Sequence, residues 1–116
     1  MESHEIDIEI YVLMLLTYLL KWQYQYQSLS EHWRGFEGRS WRTTIIEKRK
    51  LISMHLKKYP QSRDLLVHLV TSVYADAVEL ASDESNLPLN TFPESCPYTI
   101  DQLLDKYFYP NVVEIV

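Results

Sequence analysis

The sequence predicts an all-α protein: three long helices in a bundle, then an ordered Pro-containing loop and a short C-terminal helix. Three observations carry this. The two glycines, Gly35 and Gly38, share one loop, and the five prolines fall between or after periodic segments. Glycine loosens the backbone and proline blocks helical hydrogen bonding, so this placement leaves the remaining stretches free to be helices. Those stretches repeat their apolar residues at helical spacing, and no strand-like alternation of useful length occurs. At 116 residues, 47% apolar and 23% charged, the chain has the size and composition of a single globular domain over 1–116.

The first helix is expected from Ile6 to about Tyr26. Ile6, Ile10, Leu13, Thr17 and Leu20 make one stripe, while Ile8, Val12, Leu15, Leu16 and Leu19 cover the other sides. A helix apolar nearly all round must be covered nearly all round. Two other helices of the same chain can hardly surround it, so either it is the central helix of the bundle or a second subunit covers it. A homodimer through this helix is therefore expected.

The second helix should begin after Ser40, read as its N-cap, and end near Tyr59, where Pro60 stops it. Its apolar stripe is Trp41, Ile45, Ile52, Leu56 and Tyr59, with Lys48, Lys50, Lys57 and Lys58 outside. The third helix should run from near Ser62 to about Asp83. Leu66, Leu69, Val70, Val73, Ala77, Leu80 and Ala81 form the clearest amphipathic pattern in the chain, opposite Asp64, His68, Ser72 and Glu79. From Asn86 to Tyr98, Leu87, Leu89 and Phe92 are expected to pin a loop over the bundle. Thr99 and Gln102 then form a capping box, with Tyr98 and Leu103 at staple spacing, and the short helix ends before Pro110. The apolar tail from Val112 to Val116 could pack across the helices.

Charge is distributed unevenly. Ten of the eleven Lys and Arg residues and all three tryptophans lie between Lys21 and Arg63, against Glu31, Glu37 and Glu47, a net of +7. The rest of the chain sets Lys106 against thirteen acids. The basic segment is the expected contact face. Cys96 is alone, which excludes an internal disulfide, and the acidic start lacks the charge of a signal or transit peptide. The longest apolar run, Ile10 to Leu20, is too short to span a bilayer. A cytoplasmic protein with no membrane partner is expected.

Three segments resemble a known family. Leu19-Leu20-Lys21-Trp22-Gln23-Tyr24-Gln25, Arg39-Ser40-Trp41-Arg42-Thr43-Thr44-Ile45, and Leu87-Pro88-Leu89 with Thr91-Phe92-Pro93-Glu94-Ser95-Cys96-Pro97-Tyr98-Thr99 match, in order, the motifs of domain of unknown function family 29. That family is found mainly in cyanobacteria. The resemblance covers roughly Leu15 to Pro110. It implies a helical protein and brings no catalytic residue. It also implies that some tens of residues usually found before the Lys-Trp-Gln segment, forming a further helix, are missing here.

Several side chains are candidates for chemistry. Trp33, Arg34, Arg39 and Arg42 could bind a partner, because Arg pairs with phosphate in a bidentate fork and bases stack on exposed rings. Against this, Trp22 and Trp41 lie on helix stripes and are expected to pack, with the arginines neutralising Asp101 and Asp105. Arg63 and His68 fit an Arg-x4-His pattern that resembles the HEPN ribonuclease superfamily, also all-helical and often dimeric. There His68 would handle the 2′-hydroxyl proton, Arg63 would stabilise the phosphorane, and Asp64 would orient the imidazole. His4, His32, His55 and His68 are scattered, so no metal site is expected. Cys96 reads as a small packing thiol. With no Gly-rich phosphate loop, no nucleotide cofactor is expected. The reading that follows is a non-enzymatic interaction module with a protein or RNA partner at the basic segment; the alternative is an RNA binder or a metal-independent ribonuclease using Arg63 and His68.

Overall fold

The structure is a computed structural model that describes residues 3–25 and 38–111, with the side chains of residues 3–6 left aside. It is all-α, as the periodicity predicts. The helices are α1 (Ser3–Tyr24), α2 (Arg39–Lys58), α3 (Ser62–Ser85) and α4 (Ile100–Leu104), with one 3-10 turn at Leu89–Thr91. The apolar tail from Val112 lies outside the described residues.

α1 is the central helix. It packs along α2 on one side and α3 on the other, while α2 and α3 touch each other only sparsely. Ile8, Val12, Leu15, Leu16, Leu19 and Leu20 are each 1% exposed or less. At about 1.5–3 kcal/mol for each such side chain fully buried, α1 contributes a large share of the driving force. Thr17, also buried, donates its hydroxyl to the Leu13 carbonyl at 2.8 Å and so carries no unmet polar group into the core. Of the two covers the sequence allows for this helix, its own chain supplies most. Ile10 remains 46% exposed, with Leu13 and Met14 half-buried, so among the described residues this strip is what a homodimer through α1 would bury.

Two contacts give the directions. Lys21, near the end of α1, meets Trp41 at the start of α2 and Glu84 at the end of α3. α1 therefore runs antiparallel to α2 and parallel to α3. α2 begins earlier than Ser40 suggests. Its N-cap is Gly38, in the left-handed region at φ 68°, with no side-chain cap, and Ser40 stands in the first turn with its carbonyl accepting from Thr44 at 3.1 Å. A buried left-handed residue favours glycine because no Cβ has to be accommodated. Pro60 ends α2 as predicted. Ser62 N donates to Tyr59 O at 2.9 Å, and its hydroxyl lies 3.3 Å from His55 Nε2.

α3 buries Leu66, Val70, Val73, Ala77 and Ala81 on α1, together with Tyr74; Leu80 stays 38% exposed at the edge of the stripe. The helix runs to Ser85 and stops at Asn86 with φ 61°, a left-handed cap. By length and composition α3 could also cross a membrane, and 44% of its apolar stretch is buried in the bundle. The loop that follows folds back over the helices, but only part of its expected anchoring is present. Phe92 is buried edge-on to Tyr24 at 5.3 Å and Leu87 is half-buried. Leu89 is 59% exposed, because it opens the 3-10 turn and faces outward. The capping box of α4 forms in both directions, Gln102 N to Thr99 Oγ1 at 3.1 Å and Thr99 N to Gln102 Oε1 at 2.9 Å. The staple pair Tyr98 and Leu103 is buried.

Candidate functional site

Two groups of cations stand out in the basic segment. Lys21 and Arg49 face inward. Lys21 is 7% exposed, donates to Glu84 at 2.7 Å and lies 4.8 Å from the ring centres of both Tyr18 and Trp41. Arg49 is 5% exposed; its Nε donates to Leu103 O at 2.8 Å and its Nη2 to Gln102 O at 3.1 Å. The guanidinium thus caps the final carbonyls of α4, while Phe108 and Tyr109 present their rings at 6.0 and 5.6 Å. Burial lowers its pKa, opposed by Tyr109 and Asp105. Its third nitrogen, Nη1, is buried without a hydrogen-bond partner among the described residues.

The outward group lies on one stripe of α2: Arg39, Arg42, Ile46, Lys50, Ser53 and Lys57, all exposed except the half-buried Ser53. Steps of three or four residues keep them on a single face. From Arg39 to Lys57 the face extends about 27 Å along the helix. The sole acid of α2, Glu47, lies beside this stripe and takes Lys48 at 3.1 Å. Beside the stripe runs a groove between α2 and α4, made of two adjoining depressions that share Ser53 and Leu104. Ile46, Arg49, Lys50 and Lys106 line one part, and Leu56, Lys57, Pro60 and Arg63 the other. Arg63 reaches Asp101 at 3.3 Å across this groove.

Of the predicted binding residues, Arg39 and Arg42 open this face in the first turn of α2; Trp33 and Arg34 lie outside the described residues. Arg42 also sits 5.9 Å from the Tyr109 ring centre. Trp41 and Trp22 are packing residues. Trp41 is 8% exposed, and Trp22 stacks at a tilt on Tyr109 with 4.9 Å between centroids.

The three segments that carry the family resemblance meet at one end of the bundle. Lys21 lies over Trp41, Tyr98 donates its hydroxyl to Gln23 Oε1 at 2.8 Å, and Phe92 packs on Tyr24. Tyr74 of α3 donates to Pro93 O at 2.7 Å. The shared motifs are therefore the joints that lock the C-terminal loop onto α1 and α3. Burial raises the phenol pKa values of Tyr74 and Tyr98 above the ordinary tyrosine range.

Arg63 and His68 come out on different sides of α3. Five residues of helix put them about 140° apart. Arg63 turns to Asp101 and the groove, whereas His68 is exposed on the solvated face beside Asp64. Within one chain the two side chains therefore point to different sides of α3. Cys96 is half-buried, with its thiol 3.6 Å from Tyr98 O, and burial pushes its pKa up, away from a nucleophilic thiolate. Among the described residues no three His, Cys, Asp or Glu side chains gather as metal ligands.

Two features of the groove are absent from the sequence reading. Arg49 could have been found, since it sits four residues after Ile45 and three before Ile52 on the buried stripe. Lys106 and Tyr107 carry no local signal; they matter because α4 lies alongside α2.

Residues 1–109 match the family described as Domain of unknown function DUF29, and the chain belongs to it. The match begins at residue 1, so all of α1, and not only its end from Leu15, is family sequence. No curated protein and no solved structure matches the chain.

Proposed function

We propose that this member of the DUF29 family is a non-enzymatic binding module that holds a polyanionic partner along the outer face of α2. One observation carries the reading: Arg39, Arg42, Lys50 and Lys57 share a single helix face with no acid in the stripe. Arg42, Lys50 and Lys57 lie about two turns apart, so their charges add to one extended positive field along the face. That field draws a polyanion and speeds its arrival. His68 lies on another helix from this face, and burial raises the pKa of the Cys96 thiol.

The test is binding of a heparin fragment, a polyanion without sequence, measured by fluorescence anisotropy at low and moderate salt. Binding that weakens steeply with salt and drops at least tenfold in the double variant Lys50→Glu, Lys57→Glu is expected. Retained affinity in that variant would place the contact face elsewhere.

A further inference from the structure

We infer that the groove between α2 and α4 binds single-stranded nucleic acid, with phosphates along Arg42, Lys50 and Lys57 and a base stacked on Tyr107. The inference rests on the polyanion reading above and adds the chemistry of the ligand. Three observations separate a single strand from other anions.

The first is linearity. Arg42, Lys50 and Lys57 are spaced about 12 and 10 Å apart along one helix edge, which suits a chain of charges and not one compact anion. A site for a lone phosphate would converge several donors on one point. Here the donors are strung out beside a continuous depression.

The second is the exposed ring at the rim. Tyr107 is 78% exposed, the most open of the large apolar side chains described. Lys106, which lines the groove, places its ammonium 5.0 Å from the Tyr107 ring centre. A cation over an exposed ring, next in sequence to a residue that lines a basic groove, is a combination that takes a phosphate and its neighbouring base together. Ile46, 52% exposed between Arg42 and Lys50, offers a second apolar spot on the same stripe. An acidic chain without apolar side chains, such as polyglutamate, would gain little from the ring.

The third is the state of the opposing carboxylates. Asp101 is held by Arg63 at 3.3 Å, and Asp105 accepts the Tyr107 amide at 2.9 Å and attracts the Arg49 guanidinium. The acids nearest the groove are thus engaged, while the buried charge of Arg49 adds positive potential from behind its floor.

The experiment uses the full chain and a labelled oligouridylate of about 10 nucleotides, with a heparin fragment and a polyglutamate as competitors. Affinity should fall with salt with a logarithmic slope of about −2, the value for three phosphate contacts on a single strand. Tyr107→Ala should weaken oligouridylate binding by about tenfold or more, Tyr107→Phe should leave it unchanged, and neither should alter heparin binding. Circular dichroism verifies the fold of each variant. If Tyr107→Ala binds the oligonucleotide like the parent, or polyglutamate competes as well as oligouridylate, the nucleic-acid assignment is overturned while the polyanion face stands. If the parent binds neither heparin nor oligouridylate, both fall.

Discussion

Lys21 and Arg49 belong to the same basic segment as Lys50 and Lys57, yet the two pairs do opposite things. The inward pair is spent on the chain's own acceptors: Glu84 for one, the Gln102 and Leu103 carbonyls for the other. The outward pair faces a groove in which the chain supplies no carboxylate to Lys50 or Lys57 among the described residues. Net charge over a segment therefore overstates its contact face. What matters is the charge left after internal acceptors have taken their share.

Substitutions test that division, and the largest effect belongs to Arg49. Arg49→Ala removes the guanidinium donors from the Leu103 carbonyl and from the Gln102 carbonyl, which keeps only the Asp105 amide, and should destabilise the fold by about 3 kcal/mol in urea unfolding. Arg49→Lys should recover little, because an ammonium lacks the planar fork that reaches both carbonyls. Next comes Lys21→Ala, at about 2 kcal/mol, since the cation is buried but its partner Glu84 is 42% exposed. Tyr98→Phe removes the bond to Gln23 and should cost about 1 kcal/mol.

The same tyrosine gives a pH signature. Its folded pKa is raised by burial, as is that of Tyr74. The unfolded chain therefore ionises first, and the contribution of these two tyrosines should hold constant below about pH 10 and fall as pH rises beyond it. A thermal melt series between neutral and alkaline pH should show this loss, reduced in Tyr98→Phe. Smallest of all, Lys50→Ala and Lys57→Ala should change stability by no more than about 0.5 kcal/mol while weakening polyanion binding. A cost at Lys50 equal to that at Arg49 would abolish the distinction between the two pairs.

Much of the fold was legible because local chemistry decided it. The i, i+3, i+4 pattern of α3, the Pro60 stop and the Thr99–Gln102 capping box each act over a few residues, and each is present. The all-round apolarity of α1 correctly implied either a central position or an outside cover. Ser40 misled as an N-cap because a hydroxyl is the common cap, whereas here Gly38 turns the backbone without one. Leu89 misled because hydrophobicity alone does not say which way a 3-10 turn will point a side chain. The groove was legible only on its α2 side. Its walls, Lys50 and Lys106, are distant in sequence and adjacent only because Arg49 draws α4 onto α2.

The position of α1 has a consequence for how the molecule comes apart. α2 and α3 are successive in the chain but barely touch, so the hairpin they form has almost no interface of its own. Each docks on α1, and withdrawal of α1 strips both at once. Loss of structure should then be all-or-none: slow amide hydrogens in the three long helices would share one opening event and exchange at a common limiting free energy.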